Sequence, residues 1–136
     1  MSIFNKLNKF NKRIAIILNG NELITYSKLL KDSRKITNKI TKRSLILVLG
    51  GNNYETISSY VGLINKKSVI IMIDKNISQH FLVDIIKKYK PSFIFSPKKK
   101  ETPKSYSIFY DFKDYKILKK NINNVIKLNK DLAVLL

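Results

Sequence analysis

Several residue types on which enzyme chemistry depends are scarce or absent. There is no cysteine, and His80 is the only histidine among 136 residues. The missing thiols exclude disulfides and thiolate metal sites and fit a cytoplasmic location, and a single histidine excludes sites built on histidine pairs. Only nine Asp and Glu residues remain as candidate acids or metal ligands. We therefore assign no catalytic residue and predict no metal site, and we expect a catalytic role for His80 least of all.

Long apolar runs are also missing. A membrane-spanning helix needs about 18 consecutive apolar residues, and the longest comparable run, Val69–Ile73, is far shorter. The length suits one domain covering residues 1–136, and an apolar fraction of 44% is ordinary for a folded protein. We predict a single domain without a membrane span.

Acidic residues are so few that the net charge is strongly positive. Twenty-seven Lys and Arg residues leave a formal net charge of +18, a value that usually suggests nucleic acid or an anionic membrane as partner. The basic residues are nearly all lysine and are spread over the whole length among many Ile and Asn residues. Compositional drift explains this pattern better than a dedicated nucleic-acid surface. A small basic α/β module that binds nucleic acid or a phosphate-bearing ligand remains the alternative.

The central stretch predicts a strand–helix–strand unit. Ser44–Leu49 and Ser68–Ile73 are apolar without alternation, which is typical of parallel strands covered on both faces. The helix between them is predicted to carry an apolar stripe of Ile57, Val61 and Ile64. Asn52 is its predicted N-cap, with Glu55 completing a capping box.

The flanking segments predict the rest of an α/β fold. The pattern indicates a hairpin of Ile14–Leu18 and Leu23–Thr25 around Asn19-Gly20, followed by a helix that is capped by Thr25 and buries Leu29, Ser33, Ile36 and Ile40. After the central unit it indicates a helix that is capped by Ser78 and ended by Pro91, and then a third parallel strand, Ser92–Ser96. Two short C-terminal strands follow, Tyr106–Asp111 and Tyr115–Lys119. A charged loop, Pro97–Ser105, and a polar turn, Lys120–Asn124, separate these pieces. We expect Met1–Arg13 to pack on the domain.

One turn is the candidate binding site. Gly50, Gly51, Asn52 and Asn53 follow the first central strand, where glycines allow a tight turn and the start of a helix presents N–H groups to an anion. The spacing is not that of a dinucleotide fingerprint, and a purely structural turn explains it equally well. Asp74 ends the next strand, where open α/β sheets place ligands, although a turn residue explains it better.

Taken in order, these pieces resemble the opening third of the AMP-forming adenylate-forming ligases. Glu22–Leu29 resembles the family's hairpin-to-helix step, and Leu45–Val48 with Asn53, Tyr54 and Glu55 resembles its next strand and helix. Ser59–Asp74 and Phe81–Pro97 resemble the two following units. Asp131–Leu136 resembles the strand before the family's phosphate-binding loop, and its apolar end suits a central strand.

The resemblance implies ATP, Mg²⁺ and a carboxylate substrate for a complete ligase. This chain departs from the pattern at Lys28, where the family has Glu, and at Asn65-Lys66-Lys67, where the family has Lys-x-Gly. None of the family's nucleotide-binding or catalytic segments can be matched. We therefore expect an incomplete N-terminal subdomain, inactive alone, whose missing remainder lies on another chain or in an adjacent reading frame.

Overall fold

A computed structural model describes residues 4–122 and 127–136. Its α-helices and β-strands are, in chain order, β1 Ile14–Ile17, β2 Leu23–Thr25, α1 Tyr26–Thr37, β3 Leu45–Gly50, α2 Tyr54–Asn65, β4 Val69–Asp74, α3 Gln79–Tyr89, β5 Phe93–Pro97, β6 Tyr106–Phe112, β7 Tyr115–Lys120 and β8 Val134–Leu135. A short 3-10 helix, Leu7–Phe10, precedes them. Most boundaries lie within one or two residues of the predicted ones. The predicted turn Lys120–Asn124 lies partly outside the described residues.

The main sheet has six strands in the order β6-β7-β5-β3-β4-β8. β3 pairs in parallel with β4 and with β5, which confirms the predicted β–α–β–α–β layer. β7 runs antiparallel to β5, and β6 antiparallel to β7. The N-terminal hairpin of β1 and β2 forms a separate antiparallel sheet, as predicted.

Side chains of β3 point alternately into two hydrophobic cores. Ile46 and Val48 join the core beneath α1 and α2, whereas Leu45, Leu47 and Leu49 join the core beneath α3. Burial on both faces is why the strand sequence shows no polar alternation. Phe4 and Leu7 pack against the first core, so the described part of the N-terminal segment, residues 4–13, lies on the domain as expected.

Two helix starts and one helix end show how local chemistry determines where the helices lie. Thr25 accepts a hydrogen bond from the Lys28 backbone N–H at 3.2 Å, and Ser78 accepts one from the Phe81 backbone N–H. Both are the predicted N-caps. α3 ends at Lys90, which has a left-handed conformation with φ 47° just before Pro91.

The predicted stripe of α2 is partly wrong. Val61 is buried, but Ile57 is 42% exposed, and the buried surface includes Ser58, Ser59 and Gly62 instead. The reason is that α1 packs against α2. A Cβ on Gly62 would lie 2.5 Å from the Ser33 carbonyl oxygen, so small residues are required where the two helices meet.

The C-terminal strand does not lie in the centre of the sheet. β8 is an edge strand that pairs with β4, its side chains are half-buried, and Leu136 is fully exposed. Arg43 holds the preceding loop: its Nη2 donates to the carbonyl oxygens of Asn129 at 2.7 Å and Leu132 at 2.8 Å. Its Nε donates to the Lys67 carbonyl oxygen at 2.8 Å.

Candidate functional site

The Gly50–Asn53 turn lies at the carboxyl end of the sheet's central parallel strand. From β3 the chain passes through α2 to β4 on one side, and then through α3 to β5 on the other side. This reversal of direction makes the end of β3 a topological switch point, which is where open α/β sheets bind ligands. The turn therefore occupies the expected position for a site of this fold.

The turn is closed by its own hydrogen bonds. The N-cap of α2 is Asn53, so the prediction of Asn52 is wrong by one residue. Asn53 Oδ1 accepts from the Thr56 backbone N–H at 2.8 Å and from Thr56 Oγ1 at 2.7 Å. Thr56 Oγ1 in turn accepts from the Gly51 backbone N–H at 3.0 Å. Thr56 takes the place that the predicted capping box gave to Glu55, which is buried.

The two glycines leave room for neighbouring side chains. Neither has a positive φ angle. A Cβ on Gly50 would lie 2.7 Å from Met72 Sδ, and a Cβ on Gly51 would lie 3.0 Å from the side-chain carbons of Lys75. Neighbouring side chains already fill the space over the turn.

Tyr115 closes the crevice between β3 and β5. Its hydroxyl donates to the Leu49 carbonyl oxygen at 2.8 Å and accepts from Asn53 Nδ2 at 3.2 Å. Its ring stacks on Phe95 with centroids 4.7 Å apart. Sequence reasoning placed Tyr115 at the start of a strand, but nothing local indicated that β7 would bring it to the end of β3.

These contacts bear on whether the turn could hold the phosphates of ATP. A phosphate cradle needs backbone N–H groups directed at the ligand and an open concavity. Here the N–H groups of Gly51, Asn53 and Thr56 are bonded within the turn, and Tyr115 occupies the crevice. These internal hydrogen bonds favour the interpretation of the turn as a structural feature.

The other candidate side chains also have local explanations. Asp74 Oδ1 accepts from the Asn76 backbone N–H at 2.7 Å, as expected for a residue that turns the chain after a strand. The His80 side chain is 83% exposed and lies 3.6 Å from Asp84. Across residues 4–122 and 127–136, no group of three acidic or histidine side chains could hold a metal ion. No helix in that part of the chain is long and apolar enough to cross a membrane.

Comparison with known proteins finds similarity in structure and not in sequence. No protein-family model matches the chain, and no curated protein is significantly similar to it. MatB from Rhodopseudomonas palustris superimposes with a TM-score of 0.59 at 17% identity, over 67% of this chain and 19% of that one. The N-terminal subdomain of NpsA from Klebsiella oxytoca superimposes with a TM-score of 0.62 at 14% identity, over 75% of this chain and 29% of that one.

A third similar structure is PA1221, a nonribosomal peptide synthetase protein with adenylation and carrier domains. Its TM-score is 0.58 at 14% identity, over 75% of this chain and 22% of that one. All three neighbours contain adenylation domains of AMP-forming ligases. The chain spans less than a third of the length of each. Its fold is that of the N-terminal subdomain of adenylate-forming ligases, as the order of the sequence motifs predicted.

Proposed function

We propose that this chain is the N-terminal part of an adenylate-forming ligase. In the complete enzyme, a carboxylate attacks the α-phosphorus of ATP, and an acyl-adenylate and pyrophosphate result. The observation that carries the proposal is the match to the NpsA N-terminal subdomain, which covers 75% of this chain. The sequence motifs in the same order support it independently.

The part played by these residues is structural support. Two cores hold a rigid sheet between α1 and α2 on one face and α3 on the other. Such a sheet can hold neighbouring segments of a ligase in fixed positions, which matters because small displacements of reacting groups are costly in rate. The alternative of an independent nucleic-acid module has no comparable support.

The chain by itself should not catalyse adenylation. Transfer of a nucleotidyl group depends on positioned cations and backbone donors around the phosphates. The turn at the expected position uses the N–H groups of Gly51, Asn53 and Thr56 internally. We propose that the nucleotide, Mg²⁺ and the catalytic groups are held by the remainder of the ligase in the cytoplasm, on a second chain or a continuation of this one.

An exchange assay tests the proposed inactivity. The purified chain is incubated with ATP, Mg²⁺, labelled pyrophosphate and a panel of carboxylates, and label in ATP is measured. We expect no exchange above the buffer background. Exchange by the chain alone, lost with a denatured sample, would contradict the proposal that the catalytic groups lie elsewhere.

Co-expression with the neighbouring polypeptide tests the proposal that the chain is part of a ligase. The chain carries an affinity tag and is expressed with the polypeptide encoded immediately downstream. Co-purification together with carboxylate-dependent exchange, absent from either polypeptide alone, is the expected result. A downstream polypeptide that performs exchange equally well without the chain would show that this subdomain is not part of the enzyme.

A further inference from the structure

A cleft on the α3 face of the sheet concentrates positive charge. It has a volume of about 560 Å³ and lies between the C-terminal end of α3, the start of β6 and the end of β7. Its lining includes four lysines, Lys87, Lys90, Lys104 and Lys120, which we call the lysine cleft. No acidic residue lines it. Four lysines that line one concavity attract anions more strongly than scattered surface lysines do.

Lys120 distinguishes this cleft from the other basic surfaces. Its Nζ is buried and has no hydrogen-bond partner within the described residues. A buried ammonium group without a partner is costly, because water no longer solvates it and nothing replaces the water. An anion bound in the cleft would supply the missing partner.

Another buried lysine, in contrast to Lys120, has hydrogen-bond partners. Lys116 is 5% exposed, and its Nζ donates to the Lys100 carbonyl oxygen and, at 3.0 Å, to Thr102 Oγ1. The ion pairs found in the described part of the chain involve Asp32 and Asp84 and none of the cleft lysines. The charge of the lysine cleft is therefore available to a ligand.

The walls of the cleft indicate the size and character of that ligand. The volume lies in the range of small-molecule sites. Tyr106 is anchored by a hydrogen bond from its hydroxyl to the Pro91 carbonyl oxygen at 2.6 Å, which holds one wall to the end of α3. Ile122, at 73% exposure, adds an apolar surface beside the lysines. A nucleic acid would need a longer basic track than this cleft provides.

We propose that the lysine cleft binds the phosphate group of a small phosphorylated ligand that has an apolar part. Lys120 and Lys90 pair with the phosphate oxygens, and Ile122 contacts the apolar part. This site is separate from the Gly50–Asn53 turn, which lies at the carboxyl end of β3.

Calorimetric titration with phenyl phosphate at physiological salt tests the proposal. We expect saturable binding of one equivalent, tighter than that of inorganic phosphate. Lys120→Met and Lys90→Met should each weaken binding about tenfold, because each removes a charged hydrogen-bond donor. Lys31→Met is the matched control: it removes the same charge from an exposed position on α1, on the opposite face, and should change the affinity less than about twofold.

The outcomes separate a built site from general attraction to a basic protein. Equal weakening by all three variants, or by none, would overturn the proposal, as would binding that disappears with modest added salt in every variant. Binding of a short single-stranded RNA through the same lysines, without binding of phenyl phosphate, would also overturn it. Circular dichroism of each variant checks folding, and Lys90→Met keeps the test valid if Lys120→Met disturbs the fold.

Discussion

At the scale of single residues, Lys67 has a backbone conformation that normally requires glycine. Its φ angle is 57°, in the left-handed region, at the end of the connection from α2 to β4. The adenylate-forming ligases that this sequence resembles have glycine at this position of the turn. A side chain with a Cβ costs about 1–2 kcal/mol in this region. The hydrogen bond from Arg43 to the Lys67 carbonyl oxygen keeps the turn in place despite that cost.

Lys67→Gly should therefore stabilise the protein. Glycine removes the strain energy of the left-handed conformation, and it also makes the unfolded chain more flexible, which opposes folding. Because the first effect is larger, we expect a gain of about 0.5–1 kcal/mol in the free energy of unfolding. Urea denaturation measures it. Lys66→Gly is the control, because Lys66 has φ −82° and gains no relief. A loss of stability in Lys67→Gly equal to that of Lys66→Gly would contradict this reasoning.

Asp32 is a buried acid held by three partners. Its carboxylate lies 3.0 Å from Lys28 Nζ and 3.5 Å from Lys35 Nζ, and it accepts a hydrogen bond from the Tyr54 hydroxyl at 2.9 Å. Burial alone would raise the pKa of Asp32. The hydrogen bonds from Lys28 and Tyr54 and the charges of both lysines outweigh it, so the pKa lies below its ordinary value. Lys28, which departs from the family's Glu, therefore has a structural role in this chain.

The lowered pKa gives a prediction with a definite sign. The stabilisation from ionised Asp32 is fully present above the unfolded pKa of about 3.9 and is lost as pH falls through the lower folded pKa. Asp32→Asn should cost about 2 kcal/mol of unfolding free energy at neutral pH and progressively less in acid. Denaturation curves across this pH range measure it. Asp84→Asn, at an exposed carboxylate, should show neither effect, and a constant cost of Asp32→Asn at all pH values would contradict the assignment.

At the scale of elements, the contact between α1 and α2 explains why α2 carries serine and glycine on a buried face. Ser58 and Ser59 donate to backbone carbonyl oxygens of their own helix, so their hydroxyls are satisfied where they are buried. Gly62 lets the Ser33 backbone approach closely. The two helices thus form one layer over the sheet, and that layer decides which side of α2 faces solvent.

Gly62→Ala tests this packing, because two effects predict opposite signs. In an open helix, alanine in place of glycine gains about 1 kcal/mol of helix propensity. Here the new Cβ would meet the Ser33 carbonyl oxygen at 2.5 Å and Thr37 Cγ2 at 2.7 Å. We expect a net loss of about 1–3 kcal/mol in thermal or urea unfolding. Ile57→Ala, at an exposed position of the same helix, should change stability far less, and a stabilised Gly62→Ala would show that the helices are not in close contact.

At the scale of the whole molecule, charge is the dominant feature. A net charge of +18 on 136 residues means that the folded chain repels itself. Much of this charge lies on exposed lysines, where mobile ions screen it. Asp32, which is paired with Lys28 and Lys35, neutralises only a small part of it.

Thermal stability should therefore rise with ionic strength. Moving from low to physiological salt shortens the screening length to about 8 Å, so repulsion between distant lysines weakens. We expect a gain of about 1 kcal/mol, or roughly 4 °C in Tm for a chain of this length. Differential scanning calorimetry in sodium chloride and in choline chloride should give the same trend. A Tm that is unchanged or lower in both salts would show that self-repulsion is not significant.

The agreement between prediction and structure is greatest where the determining contacts are short-range. The caps Thr25 and Ser78, the Asn19-Gly20 hairpin and the end of α3 before Pro91 each depend on groups within a few residues of one another. The strands β3 and β4 were also recognisable, because burial on both faces removes polar residues from the strand itself. These local features predicted the order of strands and helices, and the resemblance of the motifs to adenylate-forming ligases implied the fold of the N-terminal subdomain.

The amino-acid sequence by itself determined the succession of strands, helices and caps, because the hydrogen bonds and apolar periods that define them act within one segment. Only the tertiary structure decided that Asn53 and not Asn52 caps α2, that Ile57 faces solvent, and that Tyr115 closes the candidate turn. It also brought Lys120 together with Lys87 and Lys90 in one cleft. The exposure of Ile57, the position of Tyr115 and the grouping of the lysines depend on contacts between residues far apart in the chain, which leave no signal in any one segment. Asn53 caps α2 through a local bond to Thr56, but it is also held by the distant Tyr115.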